Sequence, residues 1–174
     1  HLFHYPKILL INLRVEKRMN KKNPGKTLSP ILVAIDFSDH SSKALVFAAE
    51  LCSALKRPLQ ILHVVHDPGG SPGYYSQKKA KKQLQHMEER AEEMFHDFIK
   101  KVAQDNPTID SLKKPTLILV SGIPVTRILE IEKKLEPYMV IMGSQGHTGL
   151  AHLMLGSKAE QVVHLSKYPV TIIK

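Results

Sequence analysis

The chain has 174 residues, which is enough for one ordinary domain with a buried core. Hydrophobic residues make up 43% of it and charged residues 24%, a balance that is typical of a globular protein and excludes a low-complexity chain. The single cysteine, Cys52, excludes an intramolecular disulfide and any metal cluster built on cysteines. It lies in an apolar helical pattern, so we expect a buried thiol, which fits the reducing cytoplasm.

The net charge of +9 lies mostly at one end of the chain. Residues 1–28 carry seven Lys or Arg and one Glu, a net charge of +6, whereas residues 29–174 carry eighteen Lys or Arg and fifteen Asp or Glu, a net charge of +3. We therefore predict a basic, disordered leading segment at 1–29 and a domain at 30–174. Because the excess charge belongs to a tail, the sequence does not favour nucleic-acid binding.

The leading segment is apolar first and basic afterwards, which is the reverse of a signal peptide. Its apolar part is far shorter than the roughly 20 residues that span a bilayer, and the sequence contains no other candidate span. The first methionine is Met19, and we expect the functional chain to begin near it. We predict a cytoplasmic protein without a membrane partner.

From residue 31, apolar strand patterns alternate with helical ones. In chain order, we predict a strand at 31–36, a helix to 56, a strand at 58–65, a helix at 77–104, a strand at 115–121, a helix at 124–135, a strand at 138–143, a helix at 157–166 and a strand at 169–174. The strands are continuous apolar runs, as expected when both faces of a strand are buried. This alternation predicts one α/β domain with a parallel sheet, right-handed crossovers and helices on both faces.

The predicted helix at 77–104 has an apolar stripe, which we interpret as its core-facing side. The stripe consists of Ala80, Leu84, Met87, Ala91, Met94, Phe98 and Val102.

Three regions of the chain meet at one edge of the predicted sheet. Asp36 ends the first predicted strand, Val64 lies near the end of the second, and Gly143 ends the fourth. Ligands of open parallel sheets bind beyond the carboxyl ends of the strands. Gly146 and the pair Gly156-Ser157 follow, and that pair opens a helix whose free N–H groups favour an anion.

Backbone N–H groups must come close to a phosphate, and glycine permits this because it lacks a Cβ and tolerates positive φ angles. The Ser157 hydroxyl can donate to a phosphate oxygen, and Asp36 can accept from a ribose hydroxyl. Together these features favour a nucleotide site.

Plainer interpretations stand beside this one. The glycines also suit an ordinary loop, Ser157 and Glu160 fit a capping box, and Asp36 suits a helix cap. The chain lacks the Gly-Lys-Ser/Thr of a P-loop and the G-x-G-x-x-G of a dinucleotide fold.

The stretch "MGSQG" is similar to a nucleophile elbow, with Met142 in place of the first glycine and Ser144 as the nucleophile. The other triad members should then lie downstream. No Asp follows Ser144, and Glu160 and His164 lie one turn apart on one predicted helix, so a hydrolase is not favoured.

From about residue 30 onwards, the chain resembles the universal stress protein family. Its specific signature, G-x2-G-x9-G-[S/T], is met by Gly143, Gly146, Gly156 and Ser157. The stretches "ILVAIDFSDHSSKAL", "LHVV", "SGIP" and "SKYPVTIIK" also match family elements. The resemblance implies a Rossmann-like, adenine nucleotide alpha hydrolase-like domain whose five-stranded parallel sheet has the order 3-2-1-4-5.

The resemblance also implies residue roles in a site for ATP. Asp36 and Val64 would hold ribose and adenine, while Gly143, Gly146, Gly156 and Ser157 would hold ribose and phosphates. Ala34 stands where some ATP-binding members carry proline, and Met142 belongs to the same predicted site. His147 and Lys158 lie in the loop and the helix start, where they would add phosphate contacts.

The resulting hypothesis is an ATP-binding, stress-response regulatory protein that forms a homodimer. The apolar C-terminal strand would lie at a sheet edge, which suits pairing with a second copy. We expect at most slow ATP hydrolysis, with Mg²⁺ bridging the phosphates and no metal held by side chains alone. The alternatives are a nucleotide-independent interaction scaffold and a sensor of AMP or a cyclic nucleotide.

Overall fold

The computed structural model describes residues 8–10, 28–67, 77–146 and 155–174. Its strands are β1 (Ile8–Leu10), β2 (Ile31–Ile35), β3 (Leu59–His66), β4 (Thr116–Gly122), β5 (Met139–Gly143) and β6 (Val170–Ile173). Its α-helices are α1 (Asp39–Leu55), α2 (Gln77–Asp105), α3 (Pro124–Leu135) and α4 (Ser157–Leu165), and a 3-10 turn covers Asp110–Leu112. Each predicted strand and helix is present, and the ends that were predicted agree within one residue.

All the strands form one parallel sheet in the order β1-β4-β3-β2-β5-β6. Counted from Ile31, the five strands β2 to β6 have the predicted order 3-2-1-4-5, so the predicted fold class is confirmed. Near the centre of the sheet, Val33 of β2 pairs with Ile61 of β3 and with Ile141 of β5. From β2, the chain therefore crosses over in one direction to β3 and β4, and later in the opposite direction to β5 and β6.

β1 was not predicted. Ile8–Leu10 pair in parallel register with Leu117–Leu119 of β4 and add a strand to that edge of the sheet. The disorder predicted for residues 1–29 is therefore wrong for these three residues, because a short apolar run that cannot span a bilayer is still long enough for an edge strand. The division of the chain near residue 30 stays a prediction, since most of residues 1–27 lie outside the described part.

Two hydrophobic clusters cover the two faces of the sheet. Ile31, Val33 and Ile35 of β2 pack on the face shared with α1 and α2. Leu32 and Ala34 pack on the opposite face, against α3 and α4. Because successive side chains of a strand point to opposite faces, a strand covered on both sides must be apolar throughout, which explains the continuous runs in the sequence. Burying each such Ile or Leu contributes about 1.5–3 kcal/mol.

The core-facing stripe of α2 was only partly predicted. The buried residues of this 29-residue helix include Ala91, Phe95, Ile99 and Val102. Met87 and Met94, which we assigned to the stripe, are 40% and 48% exposed. Phe95 and Ile99 continue the four-residue steps from Ala91, and their larger buried surfaces decide which side of the helix faces the sheet.

Within the described residues, none of the helices is long and apolar enough to cross a membrane.

Cys52 is buried, as predicted, with 1% of its surface exposed. It lies on α1, and its thiol contacts the carbonyl oxygen of Pro58 at 3.7 Å. Burial raises the pKa of the Cys52 thiol from 9.0 to about 11, and a backbone hydrogen bond at Ile31 lowers it by less. The thiol is therefore protonated at neutral pH.

We expect Cys52 to react slowly with a thiolate-specific reagent in the native protein. The rise in pKa from 9.0 to about 11 lowers the thiolate fraction at pH 8 by about 100-fold, and burial blocks access further. Absorbance after addition of a chromogenic disulfide measures the rate, and protein denatured in urea is the control. Equal rates in the native and denatured proteins would contradict the buried position.

Candidate functional site

A cavity of about 390 Å³ opens at the carboxyl ends of β2, β3 and β5. It lies where the strand order reverses on either side of β2, which is the usual ligand position in an open parallel sheet. Nine of the ten predicted nucleotide-site residues line it: Ala34, Asp36, Val64, Met142, Gly143, Gly146, Gly156, Ser157 and Lys158. The tenth, His147, lies outside the described residues.

The cavity wall also contains residues that the sequence analysis did not assign. They include Leu62, His63, His66, Pro124 and Ile128. Leu62 shares the face of β3 that carries Val64, so strand alternation was the signal that could have identified it. Pro124 and Ile128 belong to α3, whose place beside β3 depends on the three-dimensional fold.

Asp36 organises the turn between β2 and α1. Its Oδ1 accepts hydrogen bonds from the N–H of Ser38 at 3.1 Å and from the hydroxyl of Ser38 at 2.6 Å. Ser38 in turn caps α1, because its Oγ accepts from the N–H of Ser41 at 3.2 Å. Asp36 is therefore not the helix cap of the plainer interpretation; it holds the cap in place and lies in the cavity wall.

Phe37 lies between Asp36 and Ser38 and has a φ of 67°. This is the left-handed region, which a residue other than glycine enters at a cost of about 1–2 kcal/mol. Aromatic packing offsets this cost: the Phe37 ring stacks on His63 with centroids 4.2 Å apart and meets Phe98 edge-on at 5.5 Å.

Burial lowers the pKa of His63, although its hydrogen bond to Ile35 and the charge of Asp36 oppose this shift. The neutral ring lies with Nδ1 3.0 Å from the carbonyl oxygen of Ile35, so Nδ1 carries the hydrogen and donates it.

The three glycines allow other groups of the protein to come close: backbone atoms at Gly143 and Gly156, and the Asp36 carboxylate at Gly146. A Cβ on Gly143 would lie 2.8 Å from the carbonyl carbon of His40 and 2.9 Å from the nitrogen of Ser41. A Cβ on Gly146 would lie 2.5 Å from Oδ2 of Asp36, and one on Gly156 would lie 3.2 Å from the carbonyl oxygen of Ser144.

None of these glycines has a positive φ; among the glycines of the described ranges, only Gly122 does, at 141°. Close approach, and not left-handed geometry, is therefore the reason for glycine at these positions.

Ser144 directly follows β5 and connects the end of this strand to β6, to the start of α4 and to α1. Its N–H donates to the carbonyl oxygen of Ile173 in β6 at 2.7 Å, and its carbonyl oxygen accepts from the N–H of Gly156 at 2.8 Å. Its Oγ lies 2.8 Å from Nδ1 of His40 on α1.

A nucleophile elbow predicts its histidine downstream of the serine, whereas His40 is 104 positions upstream of Ser144 and was not predicted as its neighbour. A nucleophile elbow presents its serine to solvent, whereas Ser144 is 5% exposed, so the site does not support a hydrolase.

The start of α4 lacks a side-chain cap. The N-cap residue is Gly156, with φ −62° and ψ 141°, and it makes no side-chain cap hydrogen bond. Ser157 is the first helical residue, so the predicted capping box with Glu160 is wrong by one position. The first N–H groups of this helix, at Ser157 and Lys158, lie at the cavity wall, where the helix dipole favours an anion by about 0.3–1 kcal/mol.

Comparison with known proteins gives consistent relatives. Universal stress protein A homolog 1 of Coxiella burnetii is 28% identical over 144 residues, which cover 82% of this chain and 94% of the relative. Universal stress protein YxiE of Bacillus subtilis is also 28% identical, over 150 residues, which cover 83% of this chain and 97% of the relative.

Solved structures of similar proteins have the same fold. The universal stress protein UspA of Lactobacillus plantarum superposes with a TM-score of 0.67 at 20% identity, covering 84% of this chain and 99% of that protein. A universal stress protein in complex with cAMP superposes at 0.56, with 18% identity over 85% of this chain and 98% of that protein. One from Archaeoglobus fulgidus in complex with dAMP superposes at 0.52, with 19% identity over 85% and 99%.

The sequence model that describes the universal stress protein family matches residues 27–174, which include β2 to β6, the four α-helices and all the residues of the cavity wall. The chain belongs to the universal stress protein family.

Proposed function

We propose that this protein is an ATP-binding regulatory protein of the stress response that works as a homodimer. The observation that carries the proposal is the cavity of about 390 Å³, whose wall contains both the Asp36 carboxylate and the start of α4, where the N-cap residue makes no side-chain hydrogen bond. A wall that combines helix N-terminal N–H groups, a carboxylate and apolar side chains fits a nucleoside phosphate.

Each part of a nucleotide has a matching part of the wall. Ala34, Val64 and Met142 form apolar surface for adenine. The carboxylate of Asp36, oriented by Ser38, would accept from a ribose hydroxyl. The backbone of Gly156, the hydroxyl of Ser157 and the ammonium of Lys158 would hold phosphates, and we propose that His147 adds a contact from the loop.

The solved relatives support a nucleotide but leave its identity open. The complexes with cAMP and dAMP favour a second candidate, a sensor of AMP or a cyclic nucleotide in the same cavity. ATP remains our first choice because the first N–H groups of α4, the Ser157 hydroxyl and the Lys158 ammonium offer more donors than one phosphate needs. The nucleotide-independent scaffold predicts that none of these ligands binds.

We propose that ATP is held and at most slowly hydrolysed. In the part of the chain that the structure describes, no group of three His, Cys, Asp or Glu side chains could hold a metal ion. Mg²⁺ would therefore enter with the nucleotide and bridge its phosphates.

The proposed dimer uses the β6 edge of the sheet. The residues of β6 are half-buried, and Val163 and Leu165 of the adjoining helix α4 are 43% and 57% exposed. An exposed strand edge beside apolar side chains suits pairing with a second copy about a two-fold axis. We further propose a cytoplasmic location, supported by the free, buried thiol of Cys52.

Calorimetric titration of nucleotide-stripped protein with ATP and Mg²⁺ tests the proposal directly. We expect saturable binding in the micromolar range, with AMP and cAMP weaker because they offer fewer phosphate oxygens to the α4 N-terminus. Tighter binding of AMP or cAMP would favour the second candidate. An absence of heat and of a thermal shift with all three nucleotides would favour the scaffold.

Asp36→Asn and Asp39→Asn form a matched pair for the ribose contact. Both remove one negative charge from the same turn, but Asp36 lies in the cavity wall and Asp39 is exposed outside it. Losing a negative charge near the phosphates should by itself favour ATP. We therefore expect unchanged or slightly tighter binding in Asp39→Asn, and binding weaker by about 10-fold or more in Asp36→Asn, because a charge-assisted hydrogen bond is lost. Equal affinities of the two variants would contradict the role of Asp36.

Gly146→Val and Gly143→Ala should affect different properties. A side chain at Gly146 meets the Asp36 carboxylate, so we expect the loss of ATP binding in a folded protein. A methyl group at Gly143 meets the backbone of α1, and such overpacking should lower the free energy of unfolding by about 1–3 kcal/mol. Urea denaturation and calorimetry measure the two effects, and unimpaired ATP binding by Gly146→Val would contradict the assigned site.

A further inference from the structure

The two edges of the sheet differ in how well they are covered. At the β6 edge, all four strand residues are half-buried. At the other edge, β1 covers β4, and the four consecutive residues Leu117 to Val120 are between 0% and 3% exposed. Removing β1 would make β4 the edge strand and leave one row of its N–H and C=O groups without a strand partner.

β4 is poorly suited to be an exposed edge. Its sequence, TLILVSG, contains no charged residue and no proline, which are the residues that natural edge strands use to prevent pairing with another chain. The nearest ones, Lys113, Lys114 and Pro115, precede the strand. A flat, apolar, uncharged edge pairs readily with another extended segment.

β1 is an addition to the part of the chain that defines the family. The match to the family model begins at residue 27, well after Leu10, and the five strands of the predicted order are complete without β1. The cover on β4 therefore comes from a segment outside the matched domain. This observation is independent of the cavity and of any nucleotide.

We infer that the outer edge of β4 is a docking site for an extended strand, and that Ile8–Leu10 of the same chain occupy it as an edge guard. The connection allows this pairing within one chain. Residues 11–30 can span up to about 66 Å, whereas the crossing of three strand spacings and one strand length needs only about 25 Å. Of the two edges of the described sheet, the β6 edge is then the one left for pairing with another strand.

The guard limits the size of the assembly. Pairing through one edge about a two-fold axis gives a closed dimer, because each copy has used its one free edge. With β4 also free, such dimers could pair again through their outer edges and grow without closing. Because β1 pairs through only three residues, it is also short enough to be displaced by a competing strand.

A pair of adjacent prolines tests the inference in the full chain. The N–H groups of a strand point alternately to its two sides, so one of the residues Ile8 and Leu9 directs its N–H toward β4. Ile8→Pro/Leu9→Pro therefore removes a hydrogen bond whichever residue donates it, whereas Ile8→Val/Leu9→Val keeps both N–H groups and a strand-forming side chain.

Hydrogen–deuterium exchange over residues 116–122 is the first measurement. We call the variant Ile8→Pro/Leu9→Pro the proline pair and the variant Ile8→Val/Leu9→Val the valine pair. We expect the amides of β4 directed at β1 to exchange at least about 10-fold faster in the proline pair than in the valine pair, while residues 31–35 and 59–66 keep their protection. A peptide of residues 4–13 added in excess should restore slow exchange to the proline pair, and the same peptide carrying both prolines should not. Light scattering should show larger assemblies of the proline pair alone as its concentration rises.

Several results would overturn the inference. Unchanged exchange in β4 of the proline pair would mean that β1 does not protect it, and faster exchange in all strands would mean that β1 belongs to the core. Failure of the peptide to restore protection would rule out a docking site. If protection of β4 in the unsubstituted protein increased with protein concentration, the guard strand would come from a second copy and the single-chain form would be wrong.

Discussion

The close contact between the end of β5 and the start of α1 determines the shape of the cavity. Gly143 lies so near the backbone of His40 and Ser41 that a single methyl group does not fit between them. This contact brings Ser144 within hydrogen-bonding distance of His40 and brings Gly146 against Asp36. The N–H of Gly156, directly before α4, donates to the carbonyl oxygen of Ser144. The same contact therefore helps to bring the start of α4 and Asp36 into one cavity wall.

The same contact changes what the glycine signature means. Packing gives each glycine a reason of its own, because a Cβ would lie within 3.2 Å of a protein atom at all three positions. The glycines are therefore not the evidence for a phosphate. That evidence lies in the features that packing does not require: a helix whose N-cap is a glycine without a side-chain cap, and a carboxylate held in the wall by Ser38. A structural role and a binding role coexist here, since a loop packed this closely presents its N–H groups in a fixed arrangement.

How far the sequence predicted the fold depended on the range of the interactions involved. The buried strands were predictable because both of their faces require apolar residues, and Pro124 marked the start of α3 correctly. β1 was missed because three strand residues followed by a basic stretch carry too weak a pattern. The stripe of α2 was misassigned at Met94. The helix has apolar residues on two neighbouring sides, one with Met94 and one with Phe95 and Ile99, and packing against the sheet decides which side is buried. The contact of His40 with Ser144 links residues 104 positions apart, and nothing in the local sequence of either residue indicates it.

A backbone hydrogen bond of Ser144 extends the β5–β6 pairing and joins the cavity wall to the β6 edge. The N–H of Ser144 donates to the carbonyl oxygen of Ile173, the last residue of β6. The residue that follows β5 and the end of the edge strand are therefore held together. If a nucleotide stabilises Ser144 in this position, it also stabilises the end of the strand through which we propose that two copies pair. Any such coupling acts in both directions, since a ligand that favours the paired state must itself bind more tightly to that state. Such a coupling would connect the proposed nucleotide binding to the proposed pairing, and the hydrogen bond that carries it belongs to the backbone of Ser144, where no side-chain substitution removes it directly.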